Sequence, residues 1–403
     1  MTRKILVAAL ISAIIAVLFV AGCTGEGPST GGETTVDVIY AATGPMPMLL
    51  STDQIDGYMA WQPFVAVATV SGIGKVVSYS QDMPPAGMWT DHTCCAFAAR
   101  TDIMQERPDL VNAFSALTIA ANDYIKQNPD KAAELSADWL YGKDDMTFGN
   151  VTVNSVDVLK ASIPTLKFTS DPSEAWIQSN DNFVVSLREL GYITGSLKDA
   201  DTATVHSELY DFSPYEQAKA MLANGSITTP ASAGTIALGY LPSDHHAALF
   251  VAVKDWQYFN DTYGIALKPA SEGSGAVDTA DLIVNGAKVA TVKLVKGEGG
   301  SQLMTLAAQD TIQFAFVGTP PAITAIDKGT PIKILHPLQT EGSGLVVSAD
   351  APANDWQSFI AWAEQRAAEG KPLKIASPPK GSIQDVQLRA ALGDSNVVVN
   401  EAQ

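Results

Sequence analysis

Two clusters hold most of the reactive side chains of this 403-residue chain. Asp244-His245-His246 sets a carboxylate beside two imidazoles, and Asp91-His92-Thr93-Cys94-Cys95 sets an imidazole close to two thiols. The first could supply nitrogen and oxygen ligands to a metal, or line a ligand pocket. Neighbouring histidines on a strand point to opposite faces, so such a pair rarely gives two ligands to one ion. Pocket lining is the expectation, with no metal. The second cluster could make a thiol nucleophile helped by His92. Adjacent cysteines leading into the apolar run Ala96 to Ala99 read better as small buried hydrophobes. The three cysteines, Cys23, Cys94 and Cys95, have neither zinc-ligand spacing nor a disulfide framework. No P-loop, G-x-S-x-G elbow or H-E-x-x-H occurs. The chain is therefore expected to have no catalytic residue and no cofactor. An exported enzyme using His245, His246, His92 and Cys94, with or without a metal, is the rival of another class.

The elements that must carry these residues are short β-branched runs alternating with amphipathic helical patterns, as in α/β proteins. Strands are expected at Val36 to Tyr40, Lys75 to Tyr79, Thr235 to Tyr240, Val289 to Val295, Ile312 to Val317, Ile332 to His336, Gly344 to Ser348 and Leu373 to Ala376. Helices are expected at Pro45 to Ser51, Pro108 to Lys126, Pro129 to Trp139, Val153 to Ser162, Ser173 to Leu190, Pro214 to Leu222, Trp356 to Glu369 and Ser382 to Leu392. Asp355 can cap the Trp356 helix, and Asn224 to Gly234 reads as a linker. With 46% hydrophobic residues, the chain is long enough for two or three compact units. Its 43 Asp and Glu against 25 Lys and Arg give a net charge of −18, which speaks against a nucleic-acid partner.

The first residues form a leader. Arg3 and Lys4 precede the uncharged apolar run Ile5 to Val20, which ends in Val20-Ala21-Gly22-Cys23. That ending looks like a lipobox, in which the Cys23 thiol takes a diacylglycerol. A plain membrane anchor is the alternative, although the run is barely long enough to span. Thr24 to Thr35, rich in Gly, Ser, Thr and Glu, reads as a flexible tether.

Further along, Gly239-Tyr240-Leu241-Pro242 with Asp244-His245-His246-Ala247-Ala248, and Phe316-Val317-Gly318-Thr319-Pro320-Pro321-Ala322, resemble the first lobe of ABC-transporter substrate-binding proteins of the nitrate/sulfonate/taurine/bicarbonate type. Ser377-Pro378-Pro379-Lys380-Gly381-Ser382 and Gln54-Ile55-Asp56-Gly57-Tyr58 resemble the second lobe. Trp61-Gln62-Pro63-Phe64 departs from the family's W-[ED]-P-F in having Gln for the acid. Arg107-Pro108-Asp109-Leu110-Val111, after the cysteine cluster, resembles the return into the first lobe. The likeness runs over nearly all of Val36 to Gln403. It implies an α/β, two-lobed type II periplasmic-binding-protein fold, and a receptor that hands a small solute to an ABC permease.

The motifs stand in an order unlike the family's, as in a circular permutation. A fragment of a tandem duplication, or a gene-model artefact, is the alternative. On the permuted reading, residues 1–22 are a lipoprotein signal peptide and 23–35 a tether. Residues 36–90 and 373–403 belong to the second lobe, and 91–223 and 235–348 to the first. A linker covers 224–234, and 349–372 connects the lobes. Gln403 is expected beside Thr34 to Val36, bracketing a surface loop. Crossings between lobes are expected near Gly87 to His92 and near Ser348 to Pro372.

Ligands of open α/β sheets sit at the carboxyl ends of strands, near helix N-termini. The loops Leu241 to His246, Gly318 to Pro321, Glu341 to Gly344, Lys380 to Gln384 and Thr43 to Met46, with Trp61, are the places to look. The candidate ligand-binding residues are Asp244, His245, His246, Gly318, Thr319, Glu341, Ser343, Lys380, Gly381, Ser382, Gly44, Trp61 and His92. A small oxyanion would suit the helix starts at Gly318-Thr319 and Gly381-Ser382, with Lys380 as counter-charge. A pyrimidine of the thiamine-precursor kind would instead stack on Trp61, Trp89 and Tyr240. The expected partners are a small molecule, the permease and a lipid at Cys23, for a monomer on the outer face of the cytoplasmic membrane.

The leader yields the first prediction. Intact mass of membrane-extracted protein should show loss of residues 1–22 and added lipid, and Cys23→Ala should abolish both. Unchanged cleavage in that variant would refute the lipobox reading.

Overall fold

The computed structural model describes residues 33–148 and 150–402, so the leader, Cys23 and most of the tether lie outside the described residues. Two main sheets and their helices make a two-lobed α/β fold. The smaller lobe is built on six strands in the order Val398–Ala402, Thr35–Tyr40, Leu373–Ser377, Gly57–Trp61, Ser343–Ser348 and Gly74–Tyr79. The first four run parallel to one another, and Ser343–Ser348 is antiparallel to both its neighbours. Strand Thr35–Tyr40 forms because its alternate Val36 and Val38 are fully buried, and β-branched side chains suit a pleated face. The parallel pairing sets Val36 opposite both Leu373 and Val399.

The larger lobe has eight strands, in the order Leu166–Phe168, Ile332–Glu341, Thr93–Arg100, Phe314–Gly318, Gly234–Tyr240, Ala287–Lys296, Thr279–Val284 and Ile265–Pro269. Every residue of the central strand Thr93–Arg100 is buried. Both faces of the sheet are covered there, which explains the unbroken apolar run. Phe97 stacks on Phe314 at 5.7 Å and tilts against His336 at 5.4 Å. Longer helices, Pro108–Gln127, Pro129–Tyr141 and Glu174–Glu189, complete this lobe. Ser173 caps the last of them, and Asp355 with Ser358 forms a capping box on the Trp356–Ala368 helix. The segment after Ala223 runs back within the larger lobe to the strand that begins at Gly234, tied by Arg107 to the Ala231 carbonyl.

The chain passes between lobes twice. The first passage leaves Gly74–Tyr79 and enters Thr93–Arg100 past Trp89, which is buried against Phe183 at 4.9 Å. The second corrects the expectation: it lies at Gly342, not beyond Ser348. Ser343–Ser348 pairs with Gly57–Trp61 and Gly74–Tyr79 and so belongs to the smaller lobe. Glu341 and Gly342, at φ of 62° and 87°, turn the chain from one sheet into the other. The helix Trp356–Ala368 packs on the smaller lobe's own strands rather than linking the two. The last strand also differs from the expectation. Its parallel pairing puts Ala402 opposite Ile39, at the far end of the strand from Thr35.

His336 gives a prediction for the larger lobe. It is fully buried, its Nδ1–H donates to the Pro337 carbonyl at 2.9 Å, and burial lowers its pKa from 6.5 to about 4. The unfolded chain therefore takes up this proton below pH 6.5 while the folded chain refuses it. The stability contributed is complete above pH 6.5 and is lost as pH falls toward 4, by about 3 kcal/mol in all. His336→Asn keeps an N–H donor without the titration. Urea unfolding at pH 7 and pH 4 should show a drop smaller by about that amount in the variant.

Candidate functional site

Where the two lobes face each other lies a cleft of about 410 Å³, counting its open mouth. The smaller lobe contributes Trp61, at the end of its strand, and Ser382, Ile383 and Gln384 from the first turn of the helix Ile383–Asp394. The larger lobe contributes Cys94, Cys95, Leu241, Ser243, His245, His246, Gly300, Gly318 and Pro321. Trp61, Leu241 and Gly318 close or follow parallel strands, where an open α/β sheet offers its ligand site. Three helices, Gly300–Ala308, Thr319–Asp327 and Ile383–Asp394, start at this wall and turn their positive ends toward it. Among the described lining residues there is no Lys, Arg, Asp or Glu.

Two N–H donors in the lining are buried without a partner. His246 accepts the Leu241 N–H on Nδ1 at 2.8 Å, which leaves its Nε2 carrying hydrogen and unpaired. The Nε1–H of Trp61 is unpaired too. Burial, and then His245, push the His246 pKa well down, so its ring stays neutral. Such orphaned donors cost free energy until something accepts from them.

His245 is placed differently. Its Nε2 faces the Gly342 carbonyl at 2.9 Å, and a carbonyl only accepts, so the hydrogen sits on Nε2. Nδ1 is then left to Cys94 Sγ at 3.1 Å and Cys95 Sγ at 3.9 Å. Burial alone would raise the Cys94 thiol, but the Cys95 hydrogen bond and His245 hold it well below the usual range. Cys95, a free thiol hydrogen-bonded to Cys94 and buried, lies well above it. Burial opposes charge on His245 as well, but Cys94 outweighs it and the ring is pushed up. Beneath them burial lifts Asp244 to about 6, and Ser162 hydrogen-bonds its Oδ2.

The expected residues divide accordingly. His245, His246, Gly318, Trp61 and Ser382 meet at the cleft. Ser343 stands one bond behind, accepting from Gln384 Nε2 at 2.8 Å, and Thr319 is buried against Thr93. Asp244 is wholly buried behind the wall. His92 is enclosed between the Ser80 hydroxyl and the Thr93 carbonyl, and burial lowers its pKa. Glu341 is paired with Lys167 at 2.8 Å. Lys380 pairs with Glu401 and sits over the Tyr40 ring, so it supplies no counter-charge to the cleft. The Gly381 N–H is taken by Asp385. Gly44 lines a separate hollow with Phe64 and Tyr141. Of the three stacking aromatics, Trp89 and Tyr240 are core residues and Trp61 alone reaches the cleft. Cys94, Cys95 and Gly300 join the lining although the sequence offered the thiols as mere packing. The signal was the step from Asp91-His92 into the run, but its partner His245 is distant in sequence.

The model of the NMT1-like family matches residues 21–140 and 230–401, which is most of the chain. The chain belongs to that family. NMT1-like proteins are solute-binding receptors of the ABC-importer type, and the two-lobed fold with an inter-lobe cleft is theirs. An uncharacterized protein of Methanocaldococcus jannaschii is 43% identical over 108 residues, 27% of this chain and 72% of that protein. No solved structure matches. Among the described residues no helix is long and apolar enough to cross a membrane.

The crossing beside the cleft gives a stability test. A Cβ on Gly342 would lie 2.2 Å from Leu166 Cδ2 and 2.8 Å from His245 Nε2, at a φ that L side chains avoid. Gly342→Ala should cost about 3 kcal/mol, from backbone strain and overlap together. Gly72 has φ of 72° with nothing within 4 Å, so Gly72→Ala should cost only about 1 kcal/mol. Urea unfolding of the two variants measures the difference.

Proposed function

We propose that this NMT1-like receptor captures a small oxyanion or organic anion of the nitrate, sulfonate or bicarbonate class. One observation carries the reading. The cleft offers two unpartnered N–H donors, Trp61 Nε1 and His246 Nε2, and three helix N-termini, with no carboxylate in its described lining. Donors without acceptors suit a ligand made of acceptors, and helix ends favour negative charge. The pyrimidine alternative keeps a single stacking ring. On this reading the protein hands its ligand to a membrane permease and turns nothing over. Lipidation of Cys23 would hold it outside the cytoplasmic membrane.

The permuted chain order belongs to the same proposal. It is supported by strands from the two ends of the chain lying side by side, Thr35–Tyr40 between Leu373–Ser377 and Val398–Ala402. Because these strands are parallel, an unpermuted relative would join them through a crossover of a dozen or more residues, not the surface loop expected from the sequence.

A melting screen tests the ligand class. Saturating nitrate, bicarbonate, taurine or another sulfonate should raise the melting temperature, since ligand at 100 times its Kd adds about 2.7 kcal/mol. Trp61→Phe, which removes the N–H but keeps the ring, should weaken the shift. A shift with a thiamine-precursor pyrimidine and with none of the anions would overturn the proposal, as would consumption of any ligand in proportion to protein.

A further inference from the structure

The wall of the cleft holds three soft or borderline donors in one place. Cys94 Sγ and Cys95 Sγ lie 4.0 Å apart, and His245 Nδ1 lies 3.1 and 3.9 Å from them. All three residues are buried, yet all three line the cleft. Consecutive residues of a strand normally face opposite ways. Here the alternation is broken. The pairing with Ile332–Glu341 slips on either side of Gln339, so that Cys95 faces Gln339, Thr93 faces Thr340, and Cys94 has no register partner in that strand. Irregularities of this kind re-aim side chains, and this one brings both thiols toward a single imidazole.

From this geometry we infer that Cys94, Cys95 and His245 form a binding site for one thiophilic transition-metal ion, Zn²⁺ or Cu⁺. A tetrahedral ion with bonds of about 2.3 Å to sulfur and about 2.0 Å to nitrogen needs ligand edges of roughly 3.8 Å between sulfurs and roughly 3.5 Å between sulfur and nitrogen. The sulfur–nitrogen separations, 3.1 and 3.9 Å, lie either side of the second value, and the sulfur–sulfur separation, 4.0 Å, is slightly longer than the first. The imidazole is oriented as a metal ligand should be. Its Nε2–H is committed to the Gly342 carbonyl, which fixes the tautomer and leaves the Nδ1 lone pair toward the thiols. Thiolate and imidazole donors select such ions over magnesium or calcium. Binding displaces the thiol protons to solvent, and two thiolates balance the charge of Zn²⁺.

Three protein ligands leave a fourth position, and the site sits in the cleft wall. An ion there presents that position to whatever enters the cleft. This last step rests on the anion reading above; the binding of the ion does not.

The test uses the full chain, extracted in detergent, reduced and freed of metal by chelator. Zinc content after addition of Zn²⁺ and gel filtration should be one equivalent per chain. Cobalt added in its place should give thiolate-to-cobalt charge-transfer absorption. Cys94→Ser, Cys95→Ser and His245→Gln should each lower retained zinc at least tenfold at limiting metal, and the two serine variants should change the charge-transfer band. Circular dichroism checks that each variant folds. If His245→Gln does not fold, Cys95→Ser, the mildest change, carries the test. No zinc retained by the reduced chain, or retention unaltered in folded Cys95→Ser, would overturn the inference. So would a Cys94–Cys95 disulfide that persists after reduction. The melting screen is repeated on chelated protein. An anion shift there without any metal uptake sinks the metal site and leaves the receptor reading standing; metal uptake without an anion shift does the reverse.

Discussion

The carbonyl oxygen of Gly342 accepts two hydrogen bonds, from the Gln62 backbone N–H and from His245 Nε2, each at 2.9 Å. Gly342 is also where the chain leaves the larger sheet for the smaller. A single peptide thus joins the passage between lobes, the Trp61–Gln62 loop on one wall and the imidazole on the other. The backbone that presents this oxygen is left-handed at both Glu341 and Gly342. Such backbone is costly unless its surroundings hold it. They do: Glu341 is buried, accepts the Asp91 N–H, and is neutralised by Lys167. A buried carboxylate left without its cation would strain the same turn. The orientation of His245, and through it the approach of Cys94, follows from how the crossing is held.

Much of the architecture was legible because apolar period and capping are local. The strand at Val36 and the helices starting at Pro108, Pro129 and Trp356 lie where their patterns put them. What escaped depends on partners distant in the chain. Gly57–Trp61 is a strand because it pairs with Leu373–Ser377 on one side and Ser343–Ser348 on the other. Ile332–Glu341 runs past the expected end at His336 although Pro337 lacks an N–H, because bulges opposite Cys95 and Ala96 accommodate it. The site shows the same divide. The turns after Tyr240 and Val317 could be found from strand ends alone. That Lys380 turns away to Glu401 depends on the last strand, and that the thiols face His245 depends on a slipped register.

The net charge of −18 and the character of the cleft point in opposite directions. Most of the described acidic groups lie at the surface, where salt screens them within about 8–10 Å. Behind the cleft wall, next to His245, lies the buried Asp244, whose pKa burial raises to about 6, so the fraction ionised near neutrality is smaller than for an exposed one. Local donors and helix dipoles therefore set what the site prefers, and the global field only slows the approach of an anion.

Chain order has a mechanical consequence for that site. All eight strands of the larger lobe come from one uninterrupted stretch, Thr93 to Glu341, whereas the smaller sheet interleaves strands from both ends of the chain. The larger lobe can form from its own contacts. The smaller one must wait until residues near 35–79 meet residues near 343–402, and pairings so distant in sequence form slowly. Loop-closure entropy grows only with the logarithm of loop length, so the delay is kinetic more than a loss of stability. Trp61 comes from the first of those segments and Ser382 to Gln384 from the second. The larger lobe brings His245, His246 and the thiols together by itself, but the cleft gains its second wall only when the two ends of the chain have joined.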